Sequence, residues 1–81
     1  MNKPTLYMFD ACPFCKKVLD FTTMYGIDIE IKDVRKNKTF KEELIAIGGK
    51  KQVPFLQDED AWIQMYETQD IIAYLEEKYV A

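Results

Sequence analysis

The chain of 81 residues has a net charge of −3, with 48% hydrophobic residues, 31% charged residues, three glycines and three prolines. This length and composition predict one globular domain over residues 1–81 and exclude a low-complexity or disordered chain. The acidic balance argues against nucleic acid or an anionic membrane as a partner, because both attract an excess of basic residues. The first residues lack the apolar core of a secretory signal, and no apolar run approaches the ~18 residues of a membrane span, so we expect a cytoplasmic protein.

The first half of the chain predicts a βαβ unit. The apolar run "TLYMF" at residues 5–9 predicts a buried strand, and "IDIEI" at 27–31 alternates as a half-buried strand does. Between them, Pro13 suits the first position of a helix and Gly26 suits its end. The apolar residues of this helix recur at helical spacing, namely Phe14, Val18, Phe21 and Tyr25. Two strands joined by such a helix are expected to be parallel.

The second half predicts a helix, a hairpin and a last helix. Residues 39–47 place Phe40, Leu44 and Ile47 on one helical face, and Gly48-Gly49 would end this helix. The segments "VPFLQ", "DED" at 58–60 and "AWIQMY" predict two strands joined by a turn. The last helix carries an apolar stripe, formed by Ile71, Ile72, Leu75 and Tyr79. The order βαβ followed by ββα predicts an α/β fold.

The two cysteines of the chain, Cys12 and Cys15, lie at the start of the first predicted helix. A structural disulfide is the weaker interpretation, because it would not persist in a reducing cytosol. A zinc site needs four ligands, and the chain has no third cysteine and no histidine. The missing histidine also removes the usual base of a cysteine hydrolase. A Cys-x-x-Cys pair beside a βαβ unit therefore predicts a thioredoxin-like redox motif.

The two thiols are predicted to have different roles. Cys12 falls at the helix N-cap, where unsatisfied N–H groups and the helix dipole favour negative charge, so we expect it to be the thiolate nucleophile. Cys15, one turn inside the helix, is close enough to attack a mixed disulfide at Cys12 and form an intramolecular disulfide. Lys16 and Lys17 add positive charge beside the pair, although a solvated helix face explains them at least as well.

The segment "CPFC" opening a helix, "VP" opening the third strand, and the element order together resemble the glutaredoxin branch of the thioredoxin fold. The resemblance covers almost the whole chain and implies a central four-stranded mixed sheet flanked by three helices. It also implies that Val53-Pro54 is a cis-proline turn facing the cysteines, where the backbone of Val53 pairs with a bound peptide. The alternative is that Pro54 is simply the first residue of an edge strand.

The segment from Glu67 and Thr68 to a helix ending in "AYL" is similar to the N-terminal domain of glutathione transferases and to transferase-like glutaredoxins. This resemblance implies that Thr68, as helix N-cap, holds the γ-glutamyl carboxylate of glutathione and that Glu67 receives its ammonium group. It makes Lys51 and Gln52 candidates for the glycine carboxylate. Further implied glutathione-site residues are Pro13, Phe14, Val53 and Pro54. A plain helix cap and a solvent-exposed loop are the alternatives.

The resemblance departs from many glutaredoxins at Met8, where those proteins carry a lysine four residues before the first cysteine. The function we predict is that of a monomeric dithiol glutaredoxin, which uses glutathione and no metal to reduce protein disulfides and glutathionylated proteins. A thioredoxin-like electron donor reduced by a flavoprotein reductase is the alternative. An iron–sulfur cluster carrier ranks third. A transferase is disfavoured, because the pocket for its hydrophobic substrate is built mainly by a second, helical domain.

Overall fold

A computed structural model describes residues 3–80 and shows a four-stranded mixed sheet with helices on both faces. The elements in chain order are β1 (Thr5–Met8), α1 (Pro13–Tyr25), β2 (Glu30–Asp33), α2 (Lys38–Gly48), β3 (Phe55–Asp58), β4 (Ile63–Met65) and α3 (Thr68–Leu75). The strand order is β2-β1-β3-β4, in which β1 and β2 are parallel and the other two pairs are antiparallel. The predicted thioredoxin fold is confirmed.

The core has two parts because successive side chains of a strand point to opposite faces of the sheet. Leu6 of β1 and Leu56 of β3 face a cluster that includes α1 and α3, and both cysteines belong to it. Tyr7 and Phe55, their neighbours in the strands, face α2 and pack with Leu44. The cysteines are therefore held by core packing as well as by the start of a helix.

Helix α1 begins and ends where predicted, but its buried stripe is rotated. Its buried residues are Cys15, Val18 and Thr22, whereas Phe14 and Tyr25 are 55% and 48% exposed. Both series fit the helical period, and the series containing Cys15 is the one that faces the sheet. Phe14 is consequently available at the surface beside the two thiols.

The predicted strand at 27–31 is wrong in its bounds, because β2 spans Glu30–Asp33. Gly26 ends α1 in the left-handed conformation (φ 63°), and Ile27 enters the core before strand pairing begins. Pairing with β1 starts at Glu30, opposite Thr5. Ile31 is 42% exposed. The alternation of apolar and acidic residues at 27–31 therefore does not mark a strand with one face in the core; its buried member, Ile27, belongs to the loop before β2.

The predicted hairpin is also shifted. Asp58, which we expected in the turn, is the last residue of β3 and is fully buried. The turn is a single 3-10 turn, Glu59–Ala61, and Trp62 follows it in the left-handed region (φ 56°) with 93% of its surface exposed. Strand β3 begins at Phe55, directly after the Val53-Pro54 peptide bond, which is cis.

The end of α3 explains the burial of Asp58. Ile71 and Leu75 bury the apolar stripe, but the α-helix stops at Leu75 and a π-helical turn follows over Glu76–Val80. Tyr79, predicted to continue the stripe, is 42% exposed for this reason. Tyr74 and Lys78 lie on the side of this segment that meets β3, where both donate hydrogen bonds to the carboxylate of Asp58.

Gly48 at the end of α2 lies against Tyr66, which leaves too little room for a side chain at this position. A Cβ atom there would lie 2.7 Å from Cζ of Tyr66 and 3.1 Å from a ring carbon of Phe55. The Tyr66 ring cannot move away freely, because it packs on Phe55 at 4.5 Å between ring centroids and exchanges hydrogen bonds with the backbone of Lys50. We expect Gly48→Ala to lower the free energy of unfolding by ~1–3 kcal/mol.

The measurement is urea unfolding followed by circular dichroism, with Ala46→Gly as the control on the same helix. Intrinsic helix propensity would make Gly48→Ala stabilising and Ala46→Gly destabilising by up to ~1 kcal/mol. A Gly48→Ala protein as stable as the wild type or more stable would show that Tyr66 does not restrict this position.

Candidate active site

The two cysteines occupy the first turn of α1 as predicted. Cys12 is the N-cap, with extended backbone (φ −83°, ψ 114°), and its sulfur accepts a hydrogen bond from the backbone N–H of Cys15 at 3.3 Å. The backbone N–H of Cys12 donates to the carbonyl of Phe9 at 3.1 Å. These two bonds hold the loop between β1 and α1 and place a donor at the Cys12 sulfur.

The environments of the two thiols differ. Both are free, Cys12 is 6% exposed and Cys15 is fully buried. Burial raises the pKa of the Cys15 thiol well above its ordinary value, and its hydrogen bond to Cys12 raises that pKa further. Cys15 therefore stays protonated at neutral pH while the cysteines are reduced.

A cavity of about 580 Å³ lies on one side of the Val53-Pro54 peptide. It brings together six of the residues that the sequence predicted for a glutathione site, which are Phe14, Gln52, Val53, Pro54, Glu67 and Thr68. Sequence reasoning missed the remaining residues of its lining, Lys17, Tyr66, Gln69, Asp70 and Ile72. Neither cysteine lines this cavity, but Val53 packs against the core cluster that contains both.

Thr68 is not the helix N-cap, which corrects the sequence prediction. The N-cap is Glu67, whose backbone is extended (φ −78°, ψ 130°) and whose carbonyl accepts from the N–H of Ile71 at 2.9 Å. The Glu67 side chain makes no capping hydrogen bond. Thr68 is the first helical residue, so its hydroxyl is not used to cap the helix. The N–H groups of the first turn of α3 lack partners within the helix, as at every helix start, and they border the cavity.

The remaining predicted residues lie elsewhere. Lys51 lines a second cavity, of about 420 Å³, that meets the first at Val53. Pro13 occupies the first position of α1 and lines neither cavity. Met8 is 3% exposed inside the core, so the position that carries lysine in many glutaredoxins holds a packing residue here.

Sequence reasoning missed three basic residues of the second cavity, namely Arg35, Lys38 and Lys41. The signal was present, because residues 35–41 contain four basic residues and no acidic one. Among residues 3–80, no group of three potential metal ligands lies close enough to hold an ion. No helix within the same residues is long and apolar enough to cross a membrane.

The fold and the cysteine pair at the start of α1 define a thioredoxin-fold domain, and comparison with known proteins identifies its family. The glutathione S-transferase N-terminal domain matches residues 6–81. The chain therefore belongs to the family of glutathione S-transferase N-terminal domains.

The relatives include both transferases and a glutaredoxin. The chain is 28% identical over 78 residues to a glutathione S-transferase of Anopheles gambiae, covering 94% of this chain and 35% of that protein. It is 32% identical over 71 residues to glutaredoxin 2 of Escherichia coli K12, covering 88% of this chain and 32% of that protein. The chain thus spans about a third of the length of these relatives.

Solved structures agree with this assignment. A glutathione transferase homologue from Drosophila mojavensis with bound glutathione matches with a TM-score of 0.81 and 30% identity, over 98% of this chain and 36% of that one. A glutathione S-transferase from the Antarctic clam Laternula elliptica matches with a TM-score of 0.78 and 33% identity, over 96% of this chain and 36% of that one.

Proposed function

We propose that this protein is a glutathione-dependent thiol–disulfide oxidoreductase of the transferase-like glutaredoxin branch. The observation that carries the proposal is the pair of free thiols at the start of α1, with Cys12 at the N-cap and Cys15 buried one turn later. The sequence similarity to glutaredoxin 2 of Escherichia coli supports it. The proposal includes location in the cytoplasm.

In the proposed reaction with a glutathionylated substrate, the Cys12 thiolate attacks the sulfur of the glutathionyl group. The substrate thiolate leaves and takes up a proton, while glutathione becomes disulfide-bonded to Cys12. A second glutathione thiolate then attacks the bound glutathionyl sulfur, which releases glutathione disulfide and restores the Cys12 thiolate. The turnover therefore consumes one free glutathione, and the glutathione disulfide that leaves combines it with the glutathionyl group taken from the substrate.

With a protein disulfide, Cys12 first forms a mixed disulfide with one substrate sulfur and releases the other as a thiol. Cys15 then loses its proton and attacks the sulfur of Cys12, which releases the fully reduced substrate and leaves a Cys12–Cys15 disulfide. Two glutathione molecules reduce that disulfide. The buried thiol of Cys15 suits this second role, because it reacts only with a partner delivered to Cys12.

The cavity beside Val53-Pro54 is the proposed site for the γ-glutamyl end of glutathione. The carboxylate of the γ-glutamyl group would accept hydrogen bonds from the hydroxyl of Thr68 and from N–H groups at the start of α3. Its ammonium group would lie near Glu67, and the ring of Phe14 would cover the tripeptide on the side of α1. Lys51, in the adjoining cavity, remains the candidate for the glycine carboxylate.

Conjugation of glutathione to an electrophile is a second candidate, since several relatives are glutathione S-transferases. In that reaction the thiolate of glutathione attacks the electrophile, and the only role of Cys12 is to donate a hydrogen bond to that thiolate. Turnover of a glutathionylated peptide coupled to glutathione reductase tests the first function, and turnover of a chlorinated dinitrobenzene tests the second.

If the glutathione site is as proposed, replacing Thr68 should impair the kinetics and leave the stability of the fold nearly unchanged. Because Thr68 is not the cap, Thr68→Val should change the free energy of unfolding by no more than ~0.5 kcal/mol. Loss of a hydrogen bond to a charged group should lower kcat/KM for a glutathionylated peptide by at least about tenfold. Glu67→Gln should also lower kcat/KM for this peptide, because it weakens the contact with the ammonium group of glutathione.

The matched control is Thr23→Val on the exposed surface of α1, which should keep wild-type kinetics. Steady-state kinetics and urea unfolding are measured on all three variants. Wild-type values of kcat/KM in both Thr68→Val and Glu67→Gln would remove this cavity from the glutathione site, and a thioredoxin-like donor would then be favoured.

A further inference from the structure

Four basic side chains surround the second cavity, which we call the basic groove. They are Arg35, Lys38, Lys41 and Lys51. Apolar residues line the remainder, and no carboxylate belongs to the lining. This is a local excess of positive charge on a chain whose net charge is −3.

The four cations of the basic groove form no salt bridge with any carboxylate among residues 3–80. Elsewhere, by contrast, Lys32 pairs with Glu43 at 2.9 Å and Lys36 pairs with Asp10 at 2.9 Å. Within the groove, the neighbouring ammonium group of Lys51 lowers the pKa of Lys41 by repulsion, so two like charges lie close together. An anion bound between them would relieve this repulsion.

The basic groove adjoins the redox centre. Phe9 lines it, and the carbonyl of Phe9 accepts the hydrogen bond from the backbone N–H of Cys12. Val53 lines both the groove and the proposed glutathione cavity. A polypeptide whose cysteine is joined to Cys12 can therefore extend from the thiol into the groove.

We propose that the basic groove binds an acidic segment flanking the target cysteine of a protein substrate; this rests on the proposed function. Glutathione does not account for the four cations, because its γ-glutamyl end belongs to the other cavity and one carboxylate remains for Lys51. Arg35, Lys38 and Lys41 are left for anionic groups of the substrate. Nucleic acid is disfavoured, because its many phosphates would also be repelled by Glu67 and Asp70 of the adjoining cavity and by the negative net charge of the chain.

The test compares glutathionylated peptides with one cysteine and either acidic or neutral flanks. Wild-type protein should turn over the acidic peptide with a kcat/KM at least about threefold higher, and 0.5 M salt should abolish the difference. Lys38→Gln/Lys41→Gln should lose the preference and keep wild-type turnover of the neutral peptide. Lys3→Glu is the control, because it changes the net charge by the same amount as the double variant. Lys3 lies outside the groove and pairs with Asp28.

Binding of a cysteine-free acidic peptide, measured by fluorescence anisotropy, separates the groove from the redox reaction. Weaker binding of this peptide to Lys38→Gln/Lys41→Gln than to Lys3→Glu supports the proposal that the groove binds acidic segments. If that result is obtained but no peptide is reduced, the proposed function is wrong and the inference about the groove still stands. Equal turnover of acidic and neutral peptides by the wild type overturns the inference. Equal losses in the two variants, or tighter binding of a single-stranded oligonucleotide than of the acidic peptide, also overturn it.

Discussion

Replacing Cys12 with serine is expected to abolish reduction of both glutathionylated peptides and protein disulfides, to below about 1% of wild-type turnover. Serine keeps the size and hydrogen bonding of the N-cap but cannot form the mixed disulfide, so folding should be retained while chemistry is lost. The measurement is the coupled glutathione reductase assay, with circular dichroism to confirm the fold.

Cys15→Ser is the matched control for that variant. It should keep turnover of glutathionylated peptides, which needs only Cys12, and lose reduction of protein disulfides. In the wild type, iodoacetamide should modify Cys12 before Cys15, because Cys15 is fully buried and its pKa is raised. The opposite assignment would follow if Cys15→Ser lost both reactions and Cys12→Ser kept them.

The same variant distinguishes the two candidate functions. A serine hydroxyl can still donate a hydrogen bond to the thiolate of glutathione, so conjugation to an electrophile would survive in Cys12→Ser. Disulfide reduction would not survive. A Cys12→Ser protein that conjugates glutathione at the wild-type rate, together with a wild type that reduces no disulfide, would favour the transferase.

The largest effect on stability is expected at Asp58. Its carboxylate is fully buried and accepts hydrogen bonds from Tyr74 and Lys78, which join β3 to the end of α3. Asp58→Asn keeps the shape but leaves Lys78 without its counter-ion, so the free energy of unfolding should fall by ~2–4 kcal/mol. Asp28→Asn, which removes the exposed partner of Lys3, should change it by less than ~1 kcal/mol.

The pH dependence of stability provides an independent test of this contact. Burial raises the pKa of Asp58, but the hydrogen bonds and charge of Lys78 and the hydroxyl of Tyr74 outweigh burial and hold that pKa below its usual value. The stabilisation is therefore complete above the unfolded pKa of ~3.9 and is lost as the pH falls below it. As the pH falls below about 4, Asp58→Asn should therefore lose less stability than the wild type. Parallel losses in the two proteins would show that Asp58 is not the group that titrates.

Local chemistry explains which predictions about the site were correct. The cap at Cys12, Pro13 in the first helical position and the stop at Gly26 depend on residues adjacent in the chain, and all three agree with the structure. Thr68 was misplaced by one residue, because a threonine near a helix start resembles a cap and the capping position depends on the backbone of Glu67. The roles of all these residues in glutathione binding remain predictions.

The sequence by itself determined the element order, the start of α1 and the placement of Cys12 and Cys15 in its first turn, because capping residues and apolar periodicity act over a few neighbouring positions. Only the tertiary structure decided which stripe of α1 is buried, that Asp58 accepts hydrogen bonds from Tyr74 and Lys78, and that Lys51 lines the same cavity as Arg35 and Lys41. Each of these features depends on segments that are far apart in the chain. Their geometry depends on how the helices pack on the sheet, which no local pattern specifies.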